Sequence, residues 1–196
     1  MKGDFPFLCR MDMTKNPWTI HASETRYDNN WISVTHHEGL NPSGTAGIYG
    51  VVHFKNLALG VVAMDEQQHI YLVGQYRFPL NAFSWELPEG GGPLLEDPLE
   101  SAKRELLEET GLVASRWQII SRLHTSNSVT DETGIVYLAQ GLEQRSAEPE
   151  ETEQLLVKKV PFEEAYQMVK NFEITDSLSV AAIQKIKLML LEGELV

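Results

Sequence analysis

Cysteine is almost absent from this chain of 196 residues: Cys9 stands alone. A single thiol excludes an intrachain disulfide and a cysteine-based zinc site. It fits a reducing compartment, so the cytoplasm is the expected location. There is no run of 18 or more apolar residues to make a membrane-spanning helix, and the opening MKGDFPFLCRMDMTKNPW lacks the continuous apolar stretch of a signal peptide. Basic residues are scarce as well, with 16 Lys and Arg against 28 Asp and Glu, a net charge of −12. That balance disfavours a polyphosphate backbone, and no basic stripe offsets it, so neither nucleic acid nor membrane is an expected partner. Small anionic phosphates stay within reach if bound cations mediate the contact.

Hydrophobic residues at 42% and charged residues at 22% are those of a packed soluble domain. Two short strands are expected over residues 19–40, joined at Asp28-Asn29-Asn30, and a loop over residues 41–47. GIYGVVHF (47–54), LALGVVAMD (57–65) and HIYLVGQYRF (69–78) read as strands, the last two across the polar turn Asp65 to Gln68. Their near-continuous apolar character implies a sheet covered on both faces. Residues 117–126, 134–142 and 155–160 read as further strands, and 161–172 and 177–191 as helices, the last capped by Asp176. The expected division is an N-terminal arm with short antiparallel strands, residues 1–46, and a main domain, residues 47–196. The order strands, helix, strands, helices predicts an α/β class with a mixed sheet between helical layers.

The most informative stretch is GGGPLLEDPLESAKRELLEETGL, residues 90–112. Asp97 is a helix N-cap, Pro98 occupies the first helical position, Glu100 completes an acidic capping box, and Gly111 ends the helix. Leu99, Ala102, Leu106 and Leu107 supply an apolar face. Glu105, Glu108 and Glu109 fall at i, i+3 and i+4, on one side of that helix. Three like charges there repel, with no lysine at i+4 to relieve them, while Lys103 and Arg104 are expected to point elsewhere. Hard oxygen donors on one rigid face suit Mg²⁺ or Mn²⁺. The alternative is a solvated acidic helix. Glycines 90–92 are expected to let the backbone turn sharply and approach a metal or phosphate closely.

Spacing decides between the two. Gly90, Glu96, Arg104, Glu105, Leu106, Glu108, Glu109, Gly111 and Leu112 fill every fixed slot of the Nudix box, a coincidence expected by chance below roughly one time in a million. The chain therefore resembles the Nudix hydrolases. The resemblance implies a Nudix fold, an α/β/α sandwich, and metal-dependent attack of water on a diphosphate linked to a second moiety. It implies metal ligation by Glu105, Glu108, Glu109 and the backbone carbonyl of Glu89, catalytic roles for Glu108 and Arg104, and structural roles for Gly90, Glu96 and Gly111. Arg104 is expected to orient a box glutamate, with Glu96 as its partner.

QYRFP (75–79) and SWELPEGGG (84–92) are similar to the branch that hydrolyses ADP-ribose and nucleoside diphosphate sugars. That similarity places a further base and ligand in the acidic loop EETEQL, at Glu151 and Glu153 in that order. Arg77 and Glu86 are candidate substrate contacts, with a structural ion pair between them as the alternative, and Trp31 is a candidate for stacking on a base. In place of the Ser-Pro-Gly segment of many ADP-ribose pyrophosphatases the chain has TSNSVTDE (125–132), which brings nucleoside diphosphate hexoses level with ADP-ribose as substrates. Asp131 and Glu132 read as surface turn residues. A nucleoside triphosphate pool-cleaning hydrolase and a non-catalytic nucleotide-sugar sensor are the alternatives. The branch pairs as homodimers through its N-terminal strands. His36-His37 does not suggest zinc, because neighbours on a strand face opposite ways.

Overall fold

The computed structural model describes residues 14–145 and 155–195. The chain divides into two compact units between Val52 and His53. Strand β3 (Ala46–Phe54) spans that division.

The first unit is a three-stranded sheet of β1 (Thr19–Asp28), β2 (Ile32–Leu40) and β3. Asn29 makes the β1–β2 turn, its side-chain oxygen accepting the N–H groups of Trp31 and Ile32 at 2.8 Å each. Trp18 meets Tyr49 edge to face, with centroids 5.4 Å apart. Among residues 14–52 only Gly39 is buried.

The second unit holds two sheets. One has the order β7-β4-β9-β8, from β7 (Glu89–Pro93), β4 (Asn56–Ala63), β9 (Thr133–Gln144) and β8 (Leu112–His124); the other runs β10-β5-β6, from β10 (Leu156–Pro161), β5 (His69–Arg77) and β6 (Ala82–Glu86). The β4–β9 pair is parallel and the rest are antiparallel, so the sheet is mixed as expected. Side-chain alternation separates two cores. Leu59, Val61, Ala63, Ile135, Tyr137 and Ala139 pack with Ala102 and Leu106 of α1 (Pro98–Thr110). Val62, Val136 and Leu138 pack with Phe162 and Ala165 of α2 (Phe162–Lys170) and with Ala182, Ile183 and Ile186 of α3 (Ser177–Leu191). Helices thus cover both faces, the α/β/α sandwich that the element order predicted. Among the described residues no helix is long and apolar enough to cross a membrane.

Local chemistry explains the helix ends. Asp97 accepts the Leu99 N–H at 2.9 Å, and Gly111, at φ 70°, returns its N–H to Leu107 at 2.8 Å. Glu100 pairs with Lys103 at 2.7 Å and does not reach back to Asp97, so the capping box is half made. Two strands escaped the sequence reading. β6 follows a short 3-10 turn at Phe78–Leu80, and β7 contains the three glycines. Those glycines do not turn: none has positive φ, and they lie extended opposite Leu57 to Leu59 of β4. Their use is close approach.

Candidate active site

At Gly90 a Cβ would lie 2.2 Å from the carboxylate of Glu105. Only a bare backbone lets α1 bring that carboxylate onto β7. One turn on, the buried Glu109 accepts the Glu89 N–H at 2.9 Å. Two box carboxylates therefore rest against the backbone at Glu89-Gly90, the place where the sequence expectation put a carbonyl ligand.

Arg104 does not point away from this acid cluster. Its Nη1 sits 2.9 Å from Glu105 and 3.0 Å from Glu108, and Nη2 donates to the Gly91 carbonyl at 3.3 Å. The guanidinium is long enough to reach both carboxylates from its own face, and Glu108 stands at i+4 to it. Partial burial disfavours its charge, but Glu105 and Glu108 outweigh that and raise its pKa. The expected pairing with Glu96 is not made; Glu96 instead accepts from Ser101 Oγ at 3.4 Å. Gly111 fills its expected place at the helix end.

A second ionic cluster adjoins the first through Glu89. Arg77 donates to Glu86 through Nε, at 3.0 and 3.1 Å, and through Nη2 to Glu86 at 2.5 Å and to Glu89 at 3.1 Å. Burial opposes the charged form of Glu86, yet the Arg77 hydrogen bonds hold its carboxyl below the usual range. Glu89 goes the other way: burial, then the charges of Asp176 and Glu86, push its carboxyl well above the usual range. For Arg77, burial is outweighed by Glu86 and the pKa is raised. The alternative reading of Arg77 and Glu86, an ion pair, is thus what the geometry contains. Glu86, only 2% exposed, has its carboxylate committed to Arg77.

Among the described residues no three acidic or histidine side chains converge as a ready cation site. The donor set nevertheless fits a hard divalent cation. Glu105, Glu108 and Glu109 are oxygen donors on one helix, and the bare backbone at Gly90 is a cradle that a Cβ would fill. Arg104 bridges two of those carboxylates in this geometry. Trp31 lies in the first unit, 65% exposed at the β1–β2 turn. Glu151 and Glu153 lie outside the described residues.

Asp131 and Glu132, read from the sequence as surface turn residues, are both held by contacts within the fold. Asp131 accepts from the Phe54 N–H at 2.9 Å and pairs with His53 Nδ1 at 2.7 Å, so it ties the end of β3 to the β8–β9 loop. Glu132 accepts from Thr125. Asp176 caps α3 by accepting the Ser179 N–H, and neither residue carries a sequence signal for the site.

The comparisons decide the family. The NUDIX domain matches residues 55–180, and the nucleoside diphosphate sugar hydrolase N-terminal domain matches residues 18–52. The chain belongs to the Nudix family. It is an enzyme, a Nudix pyrophosphohydrolase. An ADP-ribose pyrophosphatase of Mycobacterium tuberculosis (strain ATCC 25618 / H37Rv) is 34% identical over 175 residues, covering 87% of this chain and 84% of that protein. An ADP-ribose pyrophosphatase of Bacillus subtilis (strain 168) is 34% identical over 149 residues, covering 75% and 80%. A crystal structure of an ADP compounds hydrolase superposes with a TM-score of 0.80 at 21% identity, over 90% of this chain and 95% of the other, and shows the same Nudix fold.

Proposed function

We propose that this Nudix enzyme uses a divalent cation, Mg²⁺ or Mn²⁺, to hydrolyse the diphosphate of ADP-ribose or of nucleoside diphosphate hexoses, releasing a nucleoside monophosphate and a sugar phosphate. The observation that carries the reading is the meeting of Glu105 and Glu109 with the backbone at Gly90 and Glu89. The substrate class is supported by the N-terminal domain match and by the two ADP-ribose pyrophosphatase relatives.

Glu105, Glu108, Glu109 and the Glu89 carbonyl would hold the cation. When bound, it supplies charge neutralisation at the phosphoryl oxygens and a more acidic attacking water. Arg104 releases Glu105 and Glu108 for ligation and keeps the Gly91 carbonyl oriented. Arg77, anchored through Nε and Nη2, turns its remaining Nη1 edge to a substrate phosphate. Glu86 serves substrate by fixing that guanidinium. Glu151 acts as base on the attacking water, Glu153 adds a ligand, and Trp31 stacks on the nucleobase. A cytoplasmic homodimer is part of the same reading: a three-stranded sheet whose described residues bury only Gly39 gains its missing core from a second copy.

The test is a phosphatase-coupled assay with Mg²⁺ on ADP-ribose, GDP-mannose, UDP-glucose, NADH and 8-oxo-dGTP. Turnover of a sugar nucleotide that Glu109→Gln abolishes is the expected result. Silence on the whole panel, with tight binding of one ligand, replaces catalysis by sensing.

A further inference from the structure

Between β6 and β7 the chain leaves one sheet for the other, and at Leu87-Pro88 the ladder hydrogen bonds stop. Each residue of this crossing is held by one specific tie. The Leu87 N–H donates to Ser179 Oγ at 2.9 Å, the Pro88 carbonyl accepts from Val61 N–H at 2.9 Å, and the Glu89 N–H donates to Glu109 at 2.9 Å. Ser179 is fully buried, and so is the Leu87 side chain. A buried amide at a sheet crossing needs an acceptor, and the Ser179 hydroxyl supplies it from the first turn of α3. Ser179 is itself fixed, because Asp176 accepts its N–H at 2.7 Å.

We propose that Ser179 is a positioning residue for the cation-binding backbone, holding Leu87 so that the Glu89 carbonyl two residues on faces the box carboxylates. The inference rests on the metal-dependent reading above. Ser179 touches neither cation nor substrate and acts through the backbone of residues 87–89. It fastens α3, whose buried residues otherwise pack in the core, to the stretch that α1 also grips through Glu109.

The test measures Mn²⁺ binding to the full chain by loss of the free-ion paramagnetic resonance signal, alongside the Mg²⁺ concentration that half-activates hydrolysis. Ser179→Ala is expected to weaken both by roughly tenfold, in the range for groups that orient a ligand. Ser179→Thr, which keeps the hydroxyl, restores both to within about twofold of the parent chain. Ile183→Val, a core change one turn further along α3, leaves both unaltered. Binding in Ser179→Ala within about twofold of the parent overturns the proposal, as does an equal loss in Ile183→Val, which would mean a general softening. Should Ser179→Ala fail to fold, Ser179→Cys, a weak acceptor of similar size, takes its place with the same two outcomes. A parent chain that neither binds Mn²⁺ nor turns over any sugar nucleotide removes both readings. An active parent with an unaltered Ser179→Ala removes this one alone.

Discussion

The Glu109 carboxylate accepts the backbone N–H of Glu89 at 2.9 Å, so the box helix and the loop before the box are fastened at the point where a cation is proposed to sit. Glutamine can keep an acceptor oxygen towards that N–H while it loses the charge and exchanges the second oxygen for an NH2 group. Glu109→Gln is therefore expected to keep the fold, with a melting temperature close to the parent. Its kcat should fall on the order of a hundredfold or more, since a cation supplies several kcal/mol of transition-state stabilisation. Steady-state kinetics with a thermal melt on the same sample check both halves.

Gly90→Ala puts a methyl against the Glu105 carboxylate, and that flexible side chain must swing away from β7. Urea unfolding should show little loss, while hydrolysis should fall at least tenfold, as expected when a proposed ligand is displaced. An unchanged rate would separate the Glu105 contact from catalysis.

Arg77→Ala leaves Glu86 buried without its counter-charge. Removing one member of a buried pair costs about 3–5 kcal/mol, and Arg77 at 36% side-chain exposure places the expectation at the low end of that range. Arg77→Lys keeps the charge but not the two-pronged geometry and should fall between. Denaturant midpoints of the three chains give the order.

Asp65 carries a pH signature. Burial would raise its pKa, but the Lys159 ammonium at 2.6 Å and the N–H groups of His69 and Gln67 bring it down to about 2 from 3.8. A carboxyl depressed on folding adds stability above its unfolded pKa, and that stability is lost as pH falls through the folded value. Unfolding free energies of the parent and Asp65→Asn should thus differ above about pH 4 and converge towards pH 2. Lys159 is exposed, so solvent screening keeps the difference small.

Under the proposed metal dependence, chelation should abolish hydrolysis, and Mg²⁺ should raise the melting temperature. A hundredfold excess over the dissociation constant adds about 2.7 kcal/mol to a native state that alone binds the ion. Calorimetry with and without Mg²⁺, on the parent and on Glu109→Gln, shows whether the gain needs the box.

Much of the fold was legible because its signals are local. Asp97, Pro98 and Gly111 set α1 to the residue, Asp176 set the start of α3, and the apolar runs at 57–65 and 69–78 gave the central strands. β7 was not legible, because three consecutive glycines have low strand propensity and become a strand only by pairing with β4. β6, five residues between a turn and a proline, was too short to show a period. Arg104 was misplaced because a helical wheel gives directions from the axis and ignores the reach of a long side chain.

The sequence by itself determined the family, the box helix and the type of its donors, because residue identity at fixed spacing on one helix is a one-dimensional property. Only the tertiary structure decided what those groups meet. The Glu89 tie joins positions 20 apart and the Ser179 tie positions 92 apart. Arg77 meets Glu86 although the β5–β6 register sets Arg77 opposite Ala82 and Glu86 opposite Val73, so the long guanidinium side chain closes the gap, and Glu105 meets Gly90 because α1 lies on β7. Such contacts follow from which strands pair and which helix covers them. That choice is made by burying apolar faces across the whole unit, and no local stretch of residues encodes it.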